Sequence, residues 1–348
     1  MSEEAAGRMG PGGKGGAAAG CLLAIDFGGT KIAMASATPS GERLGEAEIP
    51  TLAAEGAARV LARTREAGLA LLARTRREHR GAGDAGALPL LAVAAVTPGI
   101  VQPDGIRFAP NNPGWETLAL EPALRRMFEV RVVGVATDVK AAALAEARFG
   151  ALAGVGTGLY VNLGTGLAAA AVIDGRVLRG AHGAAGEIGY QLLGAAGERA
   201  CAEGGAPLEE HAGGGALAAR VSALLGRETS AREAFALAAT QPAVAALLDE
   251  ALDTLARHVA NLALMIDPER IVLGGGMARV PALVERLRAA VARAALFEPQ
   301  WRRAAFGHGA ALQGAIVVAL DALRESARET AQETAQETAQ PGAAIVAA

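Results

Sequence analysis

Short apolar runs alternate along the chain with longer segments in which apolar residues recur at helical spacing. The short runs have the length and composition of strands, and the longer segments predict amphipathic helices. The predicted strands are Leu22–Phe27, Ile32–Thr38, Leu90–Val96, Val130–Ala136, Leu159–Leu163, Leu167–Ile173 and Arg270–Leu273. The predicted long helices are Ala53–Arg80, Val139–Phe149, Val244–Met265, Pro281–Ala294 and Ala310–Arg324. This alternation of strands and helices predicts an α/β fold.

An internal repeat relates the two halves of the chain. The segment 23–30 aligns with 159–166: each has a strand, a glycine turn and the start of a second strand, and Asp26 meets Asn162. Turn sequences also follow the second strand of each copy, at Ser40–Leu44 and Asp174–Leu178. We therefore predict two related lobes, each presenting a glycine-rich hairpin.

Length and charge are consistent with a bilobal protein that acts on a small molecule. A chain of 348 residues exceeds the size at which one core stops growing, so a cleft between two lobes is expected. Apolar residues make up 51% of the chain, yet no run approaches the roughly 18 residues needed to span a bilayer. Acidic and basic residues are mixed, with a net charge of -3, so we expect neither a nucleic-acid nor a membrane partner.

The composition also sets the expected boundaries. Residues 1–20 are rich in glycine and alanine and are predicted to be a disordered leader without signal-peptide character. The predicted N-terminal lobe is 21–137, completed by a helix at about 309–327, and the C-terminal lobe is 138–308. Residues 328–348 are predicted to be a low-complexity tail, in which 328–340 repeat Glu-Thr-Ala-Gln, or an extension of the last helix. Two cysteines, Cys21 and Cys201, are too few for a disulfide framework, and we expect a cytoplasmic protein.

The glycine hairpins suggest phosphate binding. Glycine lets the backbone approach an anion, whose oxygens then accept hydrogen bonds from N–H groups. The chain has neither the Gly-x-x-x-x-Gly-Lys-[Ser/Thr] loop nor a Gly-x-Gly-x-x-Gly run opening a helix after the first strand. One such hairpin alone could be an ordinary tight turn. Their duplication, and the aspartate preceding the first, favour a nucleotide clamp.

Three segments resemble the ROK (repressor, open reading frame, kinase) family of sugar kinases, over roughly residues 22–325. They are AIDFGGTKIAMA from Ala24, VNLGTGLAAAAVIDGRVLRGAHGAAGEIGY from Val161 and IVLGGGMAR from Ile271. The resemblance implies a two-lobed actin-like ATPase, or ribonuclease H-like, fold with a duplicated βββαβα core and an interlobe cleft. It also implies ATP and Mg²⁺, with Asp26 supporting the ion indirectly. The implied nucleotide-binding residues are Asp26, Gly28, Gly29, Thr30, Lys31, Gly164, Thr165, Gly166, Gly274, Gly275 and Gly276.

The same resemblance assigns the general base to Asp138. This residue follows an apolar strand and begins a helix, within ATDVKAAALAEARFGA from Ala136. An aspartate there is also a good helix N-cap, and the two roles are compatible in position. As the base, Asp138 would accept the proton of the attacking sugar hydroxyl, with glucose and its 6-position expected from family frequency.

Sugar recognition needs several fixed donors and acceptors. The segments PGI from Pro98 and APNNPGWETL from Ala109 resemble the family's substrate loops, and HGAAGEIGY from His182 its sugar-binding segment. Asn-Asn-Pro-Gly alone is also strong turn chemistry. The candidate sugar-binding residues are Gly99, Asn111, Asn112, Asp138, Glu187 and Tyr190.

The chain departs from the family pattern in two places. Many members carry a zinc site with a histidine where this chain has Tyr190, followed by a cysteine cluster of which only Cys201 remains; we therefore predict no zinc. Loop histidines such as His182 and His211 lack a paired ligand at suitable spacing. The family's Asn-Asp-x-Asn around the base is replaced by Thr137 and Lys140. Lys140 is a candidate to lower the pKa of the base or to pair with phosphate, although we expect it to be a solvated residue on the helix face.

Two other functions remain open at this stage. A DNA-binding repressor of the same family would carry a helix-turn-helix ahead of the first strand, where this chain has only about 20 glycine-rich residues. A sugar sensor that no longer transfers phosphate would explain the altered residues beside the base. Polyphosphate is an alternative donor, and we expect a homodimer or other homo-oligomer because related kinases commonly assemble so.

Overall fold

The computed structural model describes residues 20–79, 88–109 and 112–339. These residues divide into two compact units. Unit 1 holds the residues up to Ala141 and those from Leu312 onward, and unit 2 holds Ala142–Ala311. Of the predicted leader, only Gly20 lies within the described residues, and residues 340–348 of the predicted tail lie outside them.

A mixed five-stranded sheet forms the centre of unit 1. Its order is β3-β2-β1-β4-β7, with β1, β4 and β7 parallel and β2 antiparallel to both of its neighbours. The strands are β1 (Cys21–Phe27), β2 (Lys31–Ala37), β3 (Arg43–Pro50), β4 (Leu90–Thr97) and β7 (Val132–Thr137). The apolar runs of β1 and β4 are almost wholly buried, which is the pattern of parallel strands covered on both faces.

Helices and a small hairpin complete unit 1. The helices are α1 (Ala57–Glu78), α2 (Leu120–Phe128), the start of α3 (Asp138–Phe149) and most of α9 (Ala310–Ala339); the hairpin is β5 (Ile100–Gln102) and β6 (Gly105–Arg107). α1 buries Val60, Thr64, Leu71 and Thr75 along one face, so its apolar stripe covers the sheet. α9 packs on β7 so closely that a Cβ at Gly134 would lie 2.7 Å from Val318 Cγ1.

Unit 2 repeats the sheet of unit 1. Its order is β10-β9-β8-β11-β12. Numbered along the chain within each five-stranded sheet, the strands of both units lie in the order 3-2-1-4-5. The strands are β8 (Thr157–Leu163), β9 (Leu167–Ile173), β10 (Arg176–Val177), β11 (Arg270–Gly274) and β12 (Gln300–Arg303). The duplication predicted from the two hairpins is therefore confirmed as a shared topology.

Five helices and the rest of α3 complete unit 2. They are α4 (Pro207–Ala212), α5 (Gly214–Leu225), α6 (Ala231–Leu237), α7 (Pro242–Ile266) and α8 (Pro281–Ala294). The long helix α7 contributes Leu248, Leu255 and Val259 to the buried cluster beneath β8 and β11. Across the described residues, length and apolarity qualify no individual helix as a membrane span, and only α6 and α7 taken together, with a 118° bend, pass that test.

Glu146 of α3 is fully buried in unit 2 and is surrounded by backbone donors. Its Oε2 accepts a hydrogen bond from the Ala151 N–H (2.7 Å), and its Oε1 accepts from Ala305 (2.7 Å) and Phe306 (3.3 Å). Burial raises the pKa of this carboxyl, while the three N–H donors act in the opposite direction. The carboxylate thus joins the segment after α3 to the segment after β12.

Several predicted elements differ from those observed. The predicted helix Ala53–Arg80 is a short 3-10 turn at Ala53–Glu55 followed by α1, because Gly56 adopts φ +84° between them. The predicted helix Ala310–Arg324 continues to Ala339, so the described part of the predicted tail is helical. The prediction of an exposed Lys140 is wrong: this side chain is only 6% exposed, because the first turn of α3 is packed into unit 1.

Candidate active site

Asp26 and Asp138 lie at the same edge of the unit 1 sheet. Asp26 pairs in register with Val96 of β4, Val96 pairs with Ala136 of β7, and Asp138 follows two residues later. The carboxyl ends of parallel strands meet at one edge, where ligands of α/β folds commonly bind. Burial and, to a smaller extent, the neighbouring Asp138 raise the pKa of Asp26 to about 7, against the opposing effect of Lys31.

Asp138 is the first residue of α3. Its Oδ1 accepts a hydrogen bond from the Val139 N–H at 2.7 Å, so this carboxylate contacts the beginning of the helix. A helix N-terminus carries partial positive charge that stabilises an ionised carboxylate. The capping interaction therefore favours the charged form that a proton acceptor must have.

The first glycine hairpin, Gly28–Lys31, is fixed by Thr51 at the end of β3. The Thr51 hydroxyl donates to the Gly28 carbonyl (2.6 Å), and the Thr51 N–H donates to the Thr30 carbonyl (2.9 Å). Gly29 and Thr30 are exposed at the tip. The Lys31 ammonium forms an exposed ion pair with Glu48 at 2.6 Å. Thr51 was missed by the sequence analysis because a threonine after a strand has no distinctive pattern.

Three buried side-chain atoms of unit 1 lack a hydrogen-bond partner among the described residues: Arg63 Nε, Asn112 Oδ1 and Thr137 Oγ1. Asn112 is 1% exposed and precedes Trp115, whose ring packs edge-on against Phe27 at a centroid distance of 5.0 Å. A buried acceptor without a donor is costly, and a ligand hydroxyl would satisfy it. Asn111, its predicted companion, lies outside the described residues.

Gly99, another predicted sugar-binding residue, connects β4 to the β5–β6 hairpin. It adopts φ +88°, and a Cβ there would lie 2.5 Å from the Arg107 carbonyl oxygen. Its role in the observed structure is therefore to let the two backbones approach.

Three glycine segments meet in unit 2. The hairpin Gly164–Gly166 accepts hydrogen bonds at its carbonyl oxygens from the first turn of α5: Gly214 N–H to Gly164 (3.0 Å) and Gly215 N–H to Thr165 (3.0 Å). In the third segment, 274–276, Gly275 has φ +83°, and a Cβ there would stand 2.3 Å from the Leu163 oxygen. A Cβ on Gly274 would collide with the Tyr160 hydroxyl. The predicted nucleotide-binding segments 164–166 and 274–276 therefore lie together in unit 2. The run 213–215 joins them, and the sequence analysis missed it.

Glu209 of α4 lies close enough to the predicted residues Glu187 and Tyr190 for these acidic groups to shift one another's pKa. Its Oε2 accepts from the Leu167 N–H (2.7 Å), immediately after the glycine hairpin. Burial raises the pKa of Glu209, the Leu167 bond lowers it, and Glu187 raises it. Burial also raises the pKa of Tyr190 to about 12, helped by Glu209 and Glu187. The sequence analysis overlooked Glu209 because it lies in the segment where the cysteine cluster has degenerated.

His211 and His258 take part in a separate group of polar contacts. His258 Nδ1 lies 2.8 Å from Gln191 Oε1, and Arg220 joins Glu250 (2.8 Å) to the His211 carbonyl (2.6 Å). Burial lowers the pKa of His211, and Arg220 lowers it further. Within residues 20–79, 88–109 and 112–339, no group of three or more His, Cys, Asp or Glu side chains is arranged to hold a metal ion.

Comparison with known proteins identifies the family. The model of the ROK family matches residues 22–322. The chain is 30% identical to a glucokinase of Halalkalibacterium halodurans over 74% of its length and 80% of the relative's. It is 31% identical to a kanosamine kinase of Amycolatopsis mediterranei, over 85% and 95% respectively.

A solved structure supports the same relationship. The ROK hexokinase from Thermus thermophilus superposes with a TM-score of 0.73 at 31% identity, covering 88% of this chain and 99% of that one. The fold is therefore that of the ROK kinases, the actin-like ATPase fold predicted from the sequence. The three relatives compared above are sugar kinases. The chain belongs to the ROK family.

Proposed function

We propose that this protein is an ATP-dependent sugar kinase that transfers the γ-phosphate to a hexose hydroxyl, with the 6-hydroxyl of glucose as the first candidate. The observation that carries the proposal is the pair Asp26 and Asp138, close enough at one sheet edge that Asp138 raises the pKa of Asp26. The work of a kinase requires one carboxylate toward the metal–nucleotide and one toward the hydroxyl.

In this proposal Asp138 accepts the proton of the sugar hydroxyl as that oxygen attacks the γ-phosphorus. Its Oδ1 accepts a hydrogen bond from the Val139 N–H at the start of α3, where the partial positive charge of the helix N-terminus stabilises a carboxylate. Asp26 fits a hard cation, because its oxygens are the ligands Mg²⁺ prefers and a positive charge would offset the repulsion from Asp138. Mg²⁺ bound with ATP supplies charge neutralisation of the phosphates.

Backbone groups would hold the nucleotide. Gly28, Gly29, Thr30 and Lys31 would face phosphate in unit 1, and the segments 164–166 and 274–276 would do so in unit 2. The ion pair of Lys31 with Glu48 is exposed, so a phosphate can compete for the ammonium at modest cost. Hydrogen bonds from N–H groups to an anion are stronger than neutral ones, which makes such backbone turns effective phosphate sites.

The sugar would be recognised by Asn112, Glu187, Tyr190 and Glu209. Asn112 Oδ1 offers an unsatisfied buried acceptor, and the three residues of unit 2 form a cluster of acceptors and a hydroxyl. Relatives named glucokinase, kanosamine kinase and hexokinase indicate a hexose or amino-hexose. We further propose a cytoplasmic homo-oligomer, as expected from composition and from the family.

A coupled assay of ADP release tests the proposal. Purified protein with MgATP is offered a panel of hexoses and amino-hexoses. In a separate reaction polyphosphate replaces ATP, and formation of the sugar phosphate is measured because this donor releases no ADP. We expect sugar-dependent ADP release that Asp138→Asn lowers by about 10²–10⁴-fold. Asp174→Asn, an exposed turn aspartate at φ +49°, is the matched control and should retain activity. Sugar binding without turnover by wild-type protein would instead identify a non-catalytic sensor.

A further inference from the structure

The first glycine hairpin rests on Thr51, which contacts two of its carbonyl groups. Thr51 is only 1% exposed, whereas Gly29 and Thr30 at the tip of the hairpin are exposed. The Thr51 hydroxyl donates to the Gly28 carbonyl at 2.6 Å, and the Thr51 N–H donates to the Thr30 carbonyl at 2.9 Å. One buried residue therefore fixes the direction of both carbonyls.

These contacts also determine where the hairpin presents an N–H group. A trans peptide is planar, so its C=O and its N–H point in opposite directions. Because the Gly28 carbonyl is directed toward Thr51, the N–H of Gly29 is directed away from Thr51. This N–H has no hydrogen-bond acceptor within the part of the chain that the structure describes. It is therefore available to an anion at the exposed tip.

Arg63 of α1 contacts the carbonyl group of Thr51. In an antiparallel ladder, two hydrogen-bonded residues exchange both of their N–H···O bonds. Thr51 donates to Thr30, but the Thr51 carbonyl accepts from the Arg63 guanidinium, which also pairs with Glu55 at 2.7 Å. Of the hydrogen bonds made by residues 20–79, 88–109 and 112–339, none involves the Thr30 N–H. The guanidinium takes the place of the returning bond, and a second N–H is left for an anion.

We infer that Thr51 is a positioning residue for the phosphate groups of the nucleotide and that Arg63 assists it. Successive N–H groups at a turn form a concavity that binds anions, and Gly29 and Thr30 supply two of them here. Hydrogen bonds to a charged acceptor are strong but depend on the donor angle, so a rotated peptide would bind phosphate less well. Thr51 acts through the backbone of the hairpin. The inference rests on the proposed function, because it takes the nucleotide to be the ligand of this hairpin.

Steady-state kinetics of Thr51→Val test this inference. Valine has nearly the shape of threonine and keeps the N–H that bonds to Thr30, but the Gly28 carbonyl loses its hydroxyl donor. We expect the KM for ATP to rise by about tenfold or more, while the KM for sugar and the kcat at saturating ATP stay within about twofold of wild type. Thr51→Ser retains the hydroxyl and should keep a KM for ATP near that of wild type. Equal rises for the valine and serine variants would overturn the role of the hydroxyl.

Thr64→Val is the matched control. Thr64 is also a fully buried threonine of unit 1, and its hydroxyl donates to the Val60 carbonyl of its own helix at 2.8 Å. This variant loses a buried hydroxyl without altering the hairpin, so its KM for ATP should be that of wild type. A rise as large as that of Thr51→Val would overturn the inference, because general loss of stability would then explain both.

Arg63→Met provides a second variant, which carries the test even if Thr51→Val does not fold, since the Arg63 side chain is 25% exposed. Without the guanidinium, the Thr51 carbonyl can accept from the Thr30 N–H, which is then withdrawn from the phosphate. The KM for ATP should therefore rise. Arg59→Met, at an exposed position of the same helix, should leave it unchanged. Equal KM values for these two variants would overturn the role of Arg63.

Adenosine separates phosphate binding from binding of the nucleoside. It carries no phosphate, so its inhibition constant should be the same for Thr51→Val and for wild type. Weaker inhibition of the variant by adenosine would overturn a role specific to phosphate. Wild-type protein without ATP-dependent phosphorylation of any sugar would overturn the proposed function and this inference with it. An active wild type in which Thr51→Val leaves the KM for ATP unchanged would overturn this inference alone.

Discussion

Asp26 lies beside Asp138 at one sheet edge, and the burial of Asp26 together with the charge of Asp138 raises the pKa of Asp26 to about 7. An unfolded aspartate titrates near about 3.9. Between these values the folded protein binds a proton that the unfolded chain does not, so the free energy of unfolding should fall as pH rises from about 4 to about 7 and then level off. Denaturant unfolding of metal-free protein over this pH range should show the decline.

Asp26→Asn should remove that part of the pH dependence and make the metal-free protein more stable than wild type above pH 7. The exposed Asp104→Asn serves as control and should follow the wild-type curve. A wild-type stability that rises over the same interval would contradict the prediction.

Gly275→Ala should be damaging and Gly276→Ala tolerated, although the two glycines are adjacent. Position 275 combines φ +83° with a Cβ that would stand 2.3 Å from the Leu163 oxygen, whereas position 276 has φ −66° and nothing within 4 Å. Backbone strain alone costs about 1–3 kcal/mol. We expect a lower unfolding midpoint for Gly275→Ala, with Gly276→Ala unfolding close to wild type. Equal behaviour of the two variants would exclude close backbone packing as the reason for Gly275.

Helices and strands could be predicted from the sequence where a local pattern of residues encodes them. The predicted bounds of α8, Pro281–Ala294, are those observed, because proline is favoured in the first helical turn and the apolar spacing is regular. β3 was missed because it lies at the sheet edge with a largely polar, half-exposed pattern. Lys140 is buried by segments that are distant in sequence. Its position on one predicted helix therefore could not reveal its burial.

Glu209→Gln should raise the KM for sugar by about tenfold or more, because an amide replaces a half-buried carboxylate acceptor yet still accepts from the Leu167 N–H. Glu210→Gln is the adjacent control: Glu210 is exposed and accepts only from the Ala206 N–H among the bonds described. Steady-state kinetics with varied sugar would distinguish them. A change in kcat alone, with KM preserved, would argue against a sugar contact.

Tyr190→Phe tests whether the hydroxyl that replaces the family's histidine contacts the sugar. The ring stays in place, so only the hydroxyl hydrogen bond is lost, and the KM for sugar should rise by about fivefold or more. The kcat should change little. Unchanged sugar affinity would remove Tyr190 from the site.

Glu146→Gln should lower the free energy of unfolding by about 1–3 kcal/mol, because one of the three N–H donors around the carboxylate would face an amide nitrogen. Urea unfolding monitored by circular dichroism measures the change. The exposed Glu325→Gln in α9 should have no measurable effect. A neutral result for Glu146→Gln would mean that water replaces the lost interaction.

The shared strand order of the two sheets makes every backbone position of one copy comparable with its counterpart. Asp26 pairs with Val96 of its neighbouring strand, and its counterpart Asn162 pairs with Gly274. One ancestral position has thus become a carboxylate in one copy and an uncharged amide in the other. Divergence after duplication has left one hairpin able to attract a cation and the other free of negative charge at the same place, so two sheets of the same strand order differ in their electrostatic potential at equivalent positions.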